Sequence, residues 1–391
     1  MLRRAYRYRM YPTPEQAFAL AQHAGATRFI YNLCLEQRRD WWRQYRAQTG
    51  RTISWASQSA ELTDLRAEVD WLGAAPRVML EQAIRDLDKA FAAFFAGRAG
   101  FPSPRVRGRH DAFRNKAEAI SIRPLNAKWA AVKLPKIEAI KFRLCRPIAG
   151  KVKNATVSQC AGKWFVSFLT ESDHVATQST LPSVGIDRGI ANTLSLSTSE
   201  HFQMPDLGPV LIARKRAQRA LARSRKGSAR RVMAKLRAAR QSARVAAIRN
   251  HWLHERSTEI ARRFGVVALE KLRIRNMSAS GRGKRGLNRS ILEQGWGTFA
   301  TMLEYKLAER GGRVEYVDPR FTSQTCSACG CVARESRKSQ AVFRCVECGH
   351  SDHADTNAAL NIMRRSPACV EGSGYGPVEA RTLKHIENLA A

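Results

Sequence analysis

The spacing of apolar residues predicts that the chain begins with a helical region. The clearest helical period, with apolar residues three and four apart, is the run Leu80, Ile84, Leu87, Phe91 and Phe94. Upstream, Thr13, Pro14 and Gln16 supply an N-cap, a proline at the first helical position and a capping-box glutamine, so a helix is predicted to begin there. Together these patterns predict a helical subdomain over residues 13–98.

The period changes to two between residues 120 and 170. Ile140, Phe142 and Leu144 alternate with charged residues, which is typical of a half-buried strand. A strand-like run over residues 5–11 precedes the helices. We therefore predict a small antiparallel barrel or sheet, with the helices inserted after its first strand.

A different organisation follows the linker-like stretch 173–183, where we place the main domain boundary. A strand is predicted over Val184–Asp187, then a hairpin over residues 193–204, then a long helical segment from residue 210 to about residue 263. Residues 367–391 are weakly patterned and are predicted to be a disordered tail.

Composition narrows the class of partner. The 391 residues, enough for two or more domains, include 67 Lys and Arg against 33 Asp and Glu, a net charge of +34 that points to nucleic acid. No acidic residue occurs between Leu207 and His254. Pairing at i,i+4 cannot relieve the repulsion there, which favours nucleic-acid contact over a merely solvated helical surface. The candidate contacts in this segment are Arg214, Lys215, Arg219, Arg230 and Lys235, and a second basic loop spans 282–285.

Targeting signals are absent from the sequence pattern. No run reaches the roughly 18 apolar residues of a membrane span, and residues 1–11 lack the apolar core of a secretory signal. We expect a prokaryotic cytoplasmic protein, without membrane contact, that associates with the nucleoid through nucleic acid.

Four of the nine cysteines have the spacing of zinc ligands. Cys326 and Cys329 form one CxxC pair, and Cys345 and Cys348 form a second one fifteen residues later. Four thiolates close the tetrahedral shell of a zinc ion and leave no position for catalysis, so the predicted zinc is structural. Cys331, next to the first pair, is an alternative ligand.

Three acidic residues form the candidate catalytic site. Asp187 and Glu270 each end an apolar strand, and Asp355 stands at the start of a predicted helix. Carboxylates converging in this way can hold two Mg²⁺ or Mn²⁺ ions for phosphodiester hydrolysis. Taken singly, each acid could instead be a cap or a solvated turn residue. Asp352 competes with Asp355 for the third position.

At this point the sequence resembles a known family. The strings that carry the resemblance are VGIDRGI, ALEKLRIRNM, WGTFATMLEYK, TSQTCSACG, CVECGH and ADTNAALNI, together with YRMYPTPEQ, RFIYN and LEQAIRDLDKAFAAFF in the first half. In this order they resemble TnpB, also called OrfB, a transposon-associated protein family related to type V CRISPR effectors. The resemblance covers about residues 1–366.

The resemblance implies a multidomain α+β fold. Its parts are a wedge β-barrel (1–12 and 115–178), an inserted helical recognition lobe (13–114), an RNase H-like (RuvC) α/β nuclease domain (184–320 and 350–366) and an inserted zinc ribbon (321–349). It also implies Asp187, Glu270 and Asp355 as catalytic triad and magnesium ligands, and Cys326, Cys329, Cys345 and Cys348 as zinc ligands.

The implied activity is RNA-guided cutting of double-stranded DNA. The partners would be a guide RNA from the transposon end and target DNA carrying a short adjacent motif, with a monomeric protein in the RNA complex. For motif contacts we consider Arg77, Gln82, Trp55 and Ser59, although Gln82 could equally be a solvated helix residue. Phe113 and Arg114 are candidate contacts near the barrel, with a plain loop anchor as the alternative.

Two other functions remain open at this stage. The same scaffold could be an RNA-guided DNA-binding regulator that does not cut, or an unguided transposase that uses the acidic triad for strand transfer. The regulator would lack divalent-dependent chemistry. The transposase would need no RNA.

Overall fold

The computed structural model describes residues 2–50, 52–173, 176–278, 284–370 and 381–382, and the chain forms two compact units. The first comprises residues 1–174 and 224–240, and the second comprises residues 175–223 and 241–391. Both contain helices and strands. The protein is therefore a mixed α/β multidomain chain.

The first unit starts with one strand, continues with helices and ends with strands. Its elements are β1 (Leu2–Arg9), α1 (Pro14–Gln44), α2 (Arg46–Thr49), α3 (Trp55–Glu68), α4 (Asp70–Gly73), α5 (Arg77–Phe95), β2 (Ala112–Lys116), β3 (Ser121–Asn126), β4 (Trp129–Leu134), β5 (Ile137–Arg143), β6 (Lys151–Cys160) and β7 (Lys163–Ser172).

The helix starts and buried faces follow the apolar pattern. The capping box predicted at Thr13 is confirmed: its hydroxyl accepts from the backbone N–H of Gln16 at 3.3 Å, and the Gln16 side chain accepts from the backbone N–H of Thr13 at 3.0 Å. Helix α5 packs against α1, with Leu80, Ile84 and Leu87 fully buried.

The strands of this unit form two antiparallel sheets that share one core. Their orders are β1-β7-β6-β2 and β3-β4-β5, and a bridge between Met10 and Phe142 joins them. The rings of Tyr8, Phe142 and Phe168 lie 5.3 to 6.0 Å apart between the sheets. As predicted, the helices are inserted after the first strand.

Two expected boundaries differ from the structure. The helical lobe does not extend to residue 114, because Ala112–Lys116 pairs with β6 as strand β2. Residues 224–240, which we expected in the nuclease domain, belong to the first unit. There Leu236 lies against the β6–β7 turn, where a Cβ on Gly162 would come within 2.9 Å of its Cδ1 atom.

The second unit begins with the linker and contains the remaining elements. These are β8 (Ser183–Asp187), β9 (Leu194–Leu196), β10 (His201–Phe202), α6 (Gly208–Arg223), α7 (Ala229–Arg263, whose first part belongs to the first unit), β11 (Val266–Glu270), α8 (Ile274–Met277), α9 (Arg285–Gln294), α10 (Trp296–Ala308), β12 (Arg313–Val317), β13 (Cys331–Val332), β14 (Val342–Arg344), β15 (Ser351–His353), α11 (Ala354–Arg364), α12 (Pro367–Val370) and β16 (Arg381–Thr382).

A five-stranded sheet organises this unit. Its order is β10-β9-β8-β11-β12, with β8, β11 and β12 parallel and β9 and β10 antiparallel. Val184, Ile186, Val267 and Leu269 are fully buried in a core that includes Phe299 and Leu303 of α10. Helix α11 packs against β8, β9 and β11.

The predicted disordered tail is wrong at its start. Pro367–Val370 forms α12, because Cys369 is fully buried there beside Ala268 and Ile362. The described residues do not include 371–380 and 383–391 of the tail. They also do not include Arg282 and Gly283 of the predicted basic loop. No helix in the described part of the chain is long and apolar enough to cross a membrane.

Position 185 offers a test of how closely α11 packs on β8. A Cβ on Gly185 would lie 2.2 Å from the carbonyl oxygen of Ala359, so Gly185→Ala must push the helix away from the strand. We expect a loss of about 1–3 kcal/mol in the free energy of unfolding, measured by denaturant titration. Gly286→Ala is the control, since a Cβ there meets no atom of the described residues within 4 Å. Equal stability of both variants would contradict the close packing.

Candidate active site and metal centre

Sheet topology brings the three predicted acids to one edge. Strands β8 and β11 are parallel neighbours with Ile186 opposite Leu269, so Asp187 and Glu270 end side by side. Asp355 lies in the first turn of α11, which crosses β8. Asp355 and Glu270 are 5% and 8% exposed, and Asp187 is partly buried. These are unusual positions for carboxylates without a function or a partner.

Asp355 is held by polar neighbours from two directions. Asn192 donates from its side-chain amide to Oδ2 at 3.1 Å, and Arg337 forms an ion pair with Oδ1 at 3.4 Å. The backbone N–H of Asp355 donates to Nδ1 of His353, which caps the helix. The competing acid, Asp352, instead accepts from the backbone N–H of His353.

Glu270 is tied to its surroundings through both its side chain and its backbone. The hydroxyl of Thr322 donates to its Oε1 at 2.6 Å. The buried guanidinium of Arg188 donates to its backbone carbonyl, while the backbone N–H of Arg188 donates to Oδ1 of Asp187 at 2.8 Å. Residue 188 therefore connects the two strand ends.

Burial and mutual repulsion make the site receptive to cations. Burial, together with the nearby charges of Glu270 and Asp355, raises the pKa of Asp187 from 3.8 to about 7. Burial also raises the pKa of Glu270. A donor set of three carboxylates with hard oxygen atoms suits Mg²⁺ or Mn²⁺, whose charge would relieve this repulsion.

The four predicted cysteines form one cluster. Their sulfur atoms all lie within 4.8 Å of one another, with 3.7 Å between Cys326 and Cys348 and 3.6 Å between Cys329 and Cys345. A tetrahedral zinc with Zn–S bonds of about 2.3 Å requires sulfur atoms about 3.8 Å apart. The cluster therefore has the geometry of a structural zinc site. Cys331 is not part of it, although it is fully buried beside it.

The predicted nucleic-acid contacts in the first unit occupy different environments. Arg77 pairs with Glu81 at 2.9 Å, and Arg114 pairs with Asp86. Gln82 is only 8% exposed, so it is not a fully solvated helix residue. With Trp55 it lines a cavity of about 240 Å³, where the guanidinium of Arg85 lies 4.0 Å from the Trp55 ring centre. Ser59 is also buried.

The prediction that Phe113 contacts nucleic acid is contradicted. Phe113 is 2% exposed and lies edge-on to His23, with 5.5 Å between ring centres. It belongs to strand β2, whose alternation places its side chain in the core, where no base could stack on it.

The basic helices are less uniform than the sequence indicates. Lys215, Arg219, Arg230 and Lys235 are exposed. Arg214, however, pairs at 2.9 Å with Glu293 of α9, an acid distant in sequence. Glu293 is 79 residues from Arg214 along the chain, so the local i,i+4 pattern does not reveal this pair.

The sequence analysis also missed the neighbours that hold the acids. Arg188 directly follows Asp187, and Thr322 stands in the TSQTCSACG string, so both lay within motifs without a role of their own. Asn192 and Arg337 carried no sequence signal, since only folding brings them to Asp355.

Three family models match parts of this chain. Family models match at residues 1–47 (Helix-turn-helix domain), 167–281 (Probable transposase, OrfB) and 296–362 (Cas12f1-like, TNB domain). The first of these regions contains strand β1, helix α1 and the first residues of α2.

Full-length relatives identify the family. One from Escherichia coli K12, the putative RNA-guided DNA endonuclease InsQ, is 34% identical over 382 residues, covering 92% of this chain and 91% of that protein. A putative RNA-guided DNA endonuclease from Streptomyces pristinaespiralis is also 34% identical, covering 95% and 92%. This chain therefore belongs to the OrfB family, also called TnpB.

A solved structure supports the fold alone. The mini-RNA-guided endonuclease CRISPR-Cas_phi3 aligns with a TM-score of 0.53 at 10% identity, covering 97% of this chain and 94% of that one.

The cysteine cluster predicts a specific loss of metal. We expect Cys345→Ser to reduce zinc from one ion per chain towards none, because a three-thiolate shell binds zinc more weakly, and to lower thermal stability. Cys331→Ala is the matched control and should keep its zinc. The zinc content of each purified protein is measured by metal analysis. Loss of zinc from the Cys331 variant alone would contradict the ligand assignment.

The raised pKa of Asp187, caused by burial and by the neighbouring acids, predicts a pH-dependent gain in stability from Asp187→Asn. Because the folded state holds this proton more tightly than the unfolded chain does, the wild type loses stability as pH rises from about 4 to about 7. Without added divalent ions, the variant should be more stable than the wild type by about 1–3 kcal/mol at pH 8 and by much less at pH 5. Thermal unfolding at both values tests this, and a pH-independent difference would contradict it.

Proposed function

We propose that this protein is an RNA-guided DNA endonuclease of a transposon that cuts double-stranded DNA beside a short motif. The observation that carries the proposal is the convergence of Asp187, Glu270 and Asp355 from two parallel strands and one helix. All three carboxylates are present, and the full-length relatives are named as RNA-guided DNA endonucleases. This favours the cutting enzyme over the non-cutting regulator.

In this proposal the second unit contains a RuvC-like nuclease domain, residues 184–320 and 350–366, with residues 224–240 excepted. The zinc ribbon, residues 321–349, is inserted into it. The first unit provides the wedge barrel, starting again at residue 112 after the helical recognition lobe. The parallel β8-β11 pair with an antiparallel β9-β10 extension supports this assignment.

The three carboxylates would hold Mg²⁺ or Mn²⁺. Two such ions, when bound, supply a nucleophilic water and stabilise the attacking and leaving oxygens of the phosphodiester. The protein contributes the placement of its ligands: Asn192 orients Asp355, and Thr322 orients Glu270. We propose a single site of this kind, so the two DNA strands would enter it in turn.

The partners would be a guide RNA from the transposon end and the target duplex. The exposed cations Lys215, Arg219, Arg230 and Lys235 suit contacts with phosphates, which add affinity without sequence information. Arg214 would contact phosphate beside its pairing with Glu293. Arg77 and Gln82 remain proposed motif contacts, and Arg114 remains a proposed nucleic-acid contact near the barrel. The protein would act as a monomer in the RNA complex.

The family model described as a probable transposase supports one alternative, unguided strand transfer by the same acids. The presence of RNA separates the two functions. We would express the chain with its native flanking DNA, purify it and sequence the RNA that survives high salt. A discrete RNA ending in a variable segment supports guided cutting. Purified protein with no specific RNA would favour the transposase.

Cleavage by the RNA-bound protein tests the catalytic role directly. On a plasmid that matches the guide, we expect Mg²⁺-dependent double-strand cutting that Asp187→Ala lowers by at least about a thousandfold, because a metal ligand is lost. Guide and target binding should remain, as measured by gel shift. Cutting by the Asp187 variant at the wild-type rate would refute the assignment.

A further inference from the structure

A loop between β12 and the first zinc knuckle contacts the carboxylate site. It spans residues 318–327, and its Thr322 is 3% exposed. The Thr322 hydroxyl lies 2.6 Å from Oε1 of Glu270 and 3.1 Å from the carbonyl oxygen of Pro319. The hydroxyl has one proton to donate, and the carboxylate oxygen of Glu270 is both the nearer and the stronger of the two acceptors. Thr322 therefore restricts how the Glu270 side chain can turn.

Two asparagines of α11 fix this loop in place. Asn361 donates from Nδ2 to the carbonyl oxygens of Thr322 and Thr325, at 3.0 and 2.6 Å. Asn357 donates to the Thr325 carbonyl at 2.8 Å and accepts the backbone N–H of Ser327, also at 2.8 Å. Both amides are buried, at 4% and 0% exposure, so these bonds are shielded from competing water.

The same contacts reach the zinc cluster. Ser327 lies between the ligands Cys326 and Cys329, and the backbone N–H of Cys326 donates to the Cys331 carbonyl at 2.8 Å. Asn357 stands two residues after Asp355 on α11. Helix α11 therefore carries Asp355 and also positions the loop whose Thr322 hydroxyl binds Glu270.

We propose that Thr322 is a positioning residue for Glu270, and that Asn357 and Asn361 of α11, which bind the loop from Thr322 to Ser327 of the first knuckle, hold Thr322 in the place where it acts. The inference rests on the proposed role of Glu270 as a ligand of divalent ions. It gives the loop that leads into the first knuckle a role in the geometry of a site that contains none of the four clustered cysteines. Partners of this outer kind typically change metal affinity or activity by about 10–100-fold when lost.

Two substitutions at Thr322 distinguish the contribution of its hydroxyl from that of its methyl group. Thr322→Val keeps the shape and removes the hydrogen bond, whereas Thr322→Ser keeps the hydrogen bond. Thr198→Val is the matched control, since its hydroxyl donates to another glutamate, Glu200, at 3.3 Å on the exposed surface. Each variant is purified with its RNA, and Mn²⁺ binding is measured by electron paramagnetic resonance. Only the sites that Asp187→Ala abolishes are counted.

We expect Thr322→Val to weaken Mn²⁺ binding by about 10–100-fold and to lower kcat at a fixed Mg²⁺ concentration, with an unchanged KM for DNA and unchanged zinc content. Thr322→Ser and Thr198→Val should behave like the wild type. Wild-type Mn²⁺ affinity in the valine variant would overturn the proposal. So would an equal defect in the serine variant, which would indicate methyl packing, or a wild type without such Mn²⁺ sites.

The clamp that α11 forms on this loop, made by Asn357 and Asn361, is tested at Asn361. Asn361→Leu keeps the volume but cannot donate to the two carbonyls, and we expect it to weaken Mn²⁺ binding while one zinc per chain remains. Wild-type Mn²⁺ affinity would show that the loop is placed without the clamp. If these binding differences appear but no guided target is cut, the proposed function fails while the positioning role stands.

Discussion

Helix α11 lies so close to strand β8 that position 185 has no room for a side chain, and the site depends on this contact. A Cβ there would lie 2.2 Å from one backbone atom of the helix and 2.6 Å from another, the N–H nitrogen of Met363. Glycine is the residue that permits such an approach. Because β8 and β11 are parallel, their acids end at the same edge, and the close helix adds Asp355 to them.

The resulting site concentrates negative charge where burial already disfavours it. The raised pKa of Asp187 reflects that cost. The protein offsets the charge only in part, because Arg337 pairs with Asp355 whereas the guanidinium of Arg188 donates to the backbone carbonyl of Glu270. Carboxylates whose pKa values are shifted in this way cluster at functional sites. The ion pair at Asp355 comes from the segment between the two zinc knuckles, so the ribbon and the acids are neighbours in space as well as in sequence.

The positive charge of the chain has two different uses. Some arginines are structural: Arg28 pairs with Asp111, and Arg38 pairs with Asp88. Others, such as Lys215 and Arg219 on α6, are exposed, and these suit a polyanionic partner. A net charge alone does not distinguish them, because an arginine and its acidic partner are often far apart along the chain.

The sequence by itself determined the elements and the chemical groups. The capping box at Thr13, the β8 strand and the two CxxC pairs are local patterns, and local patterns depend on neighbours that a reader of the sequence can see. Asp187, Glu270 and Asp355 were found because strand ends and a helix start have local signals too. The tertiary structure decided which side chains meet: the core position of Phe113, the pairing of Arg214 with Glu293, the ordered Pro367–Val370, and the contacts of Thr322, Asn192 and Arg337 with the acids. Each of these depends on residues separated by tens of positions or on packing against another element, which the period of a single segment does not encode.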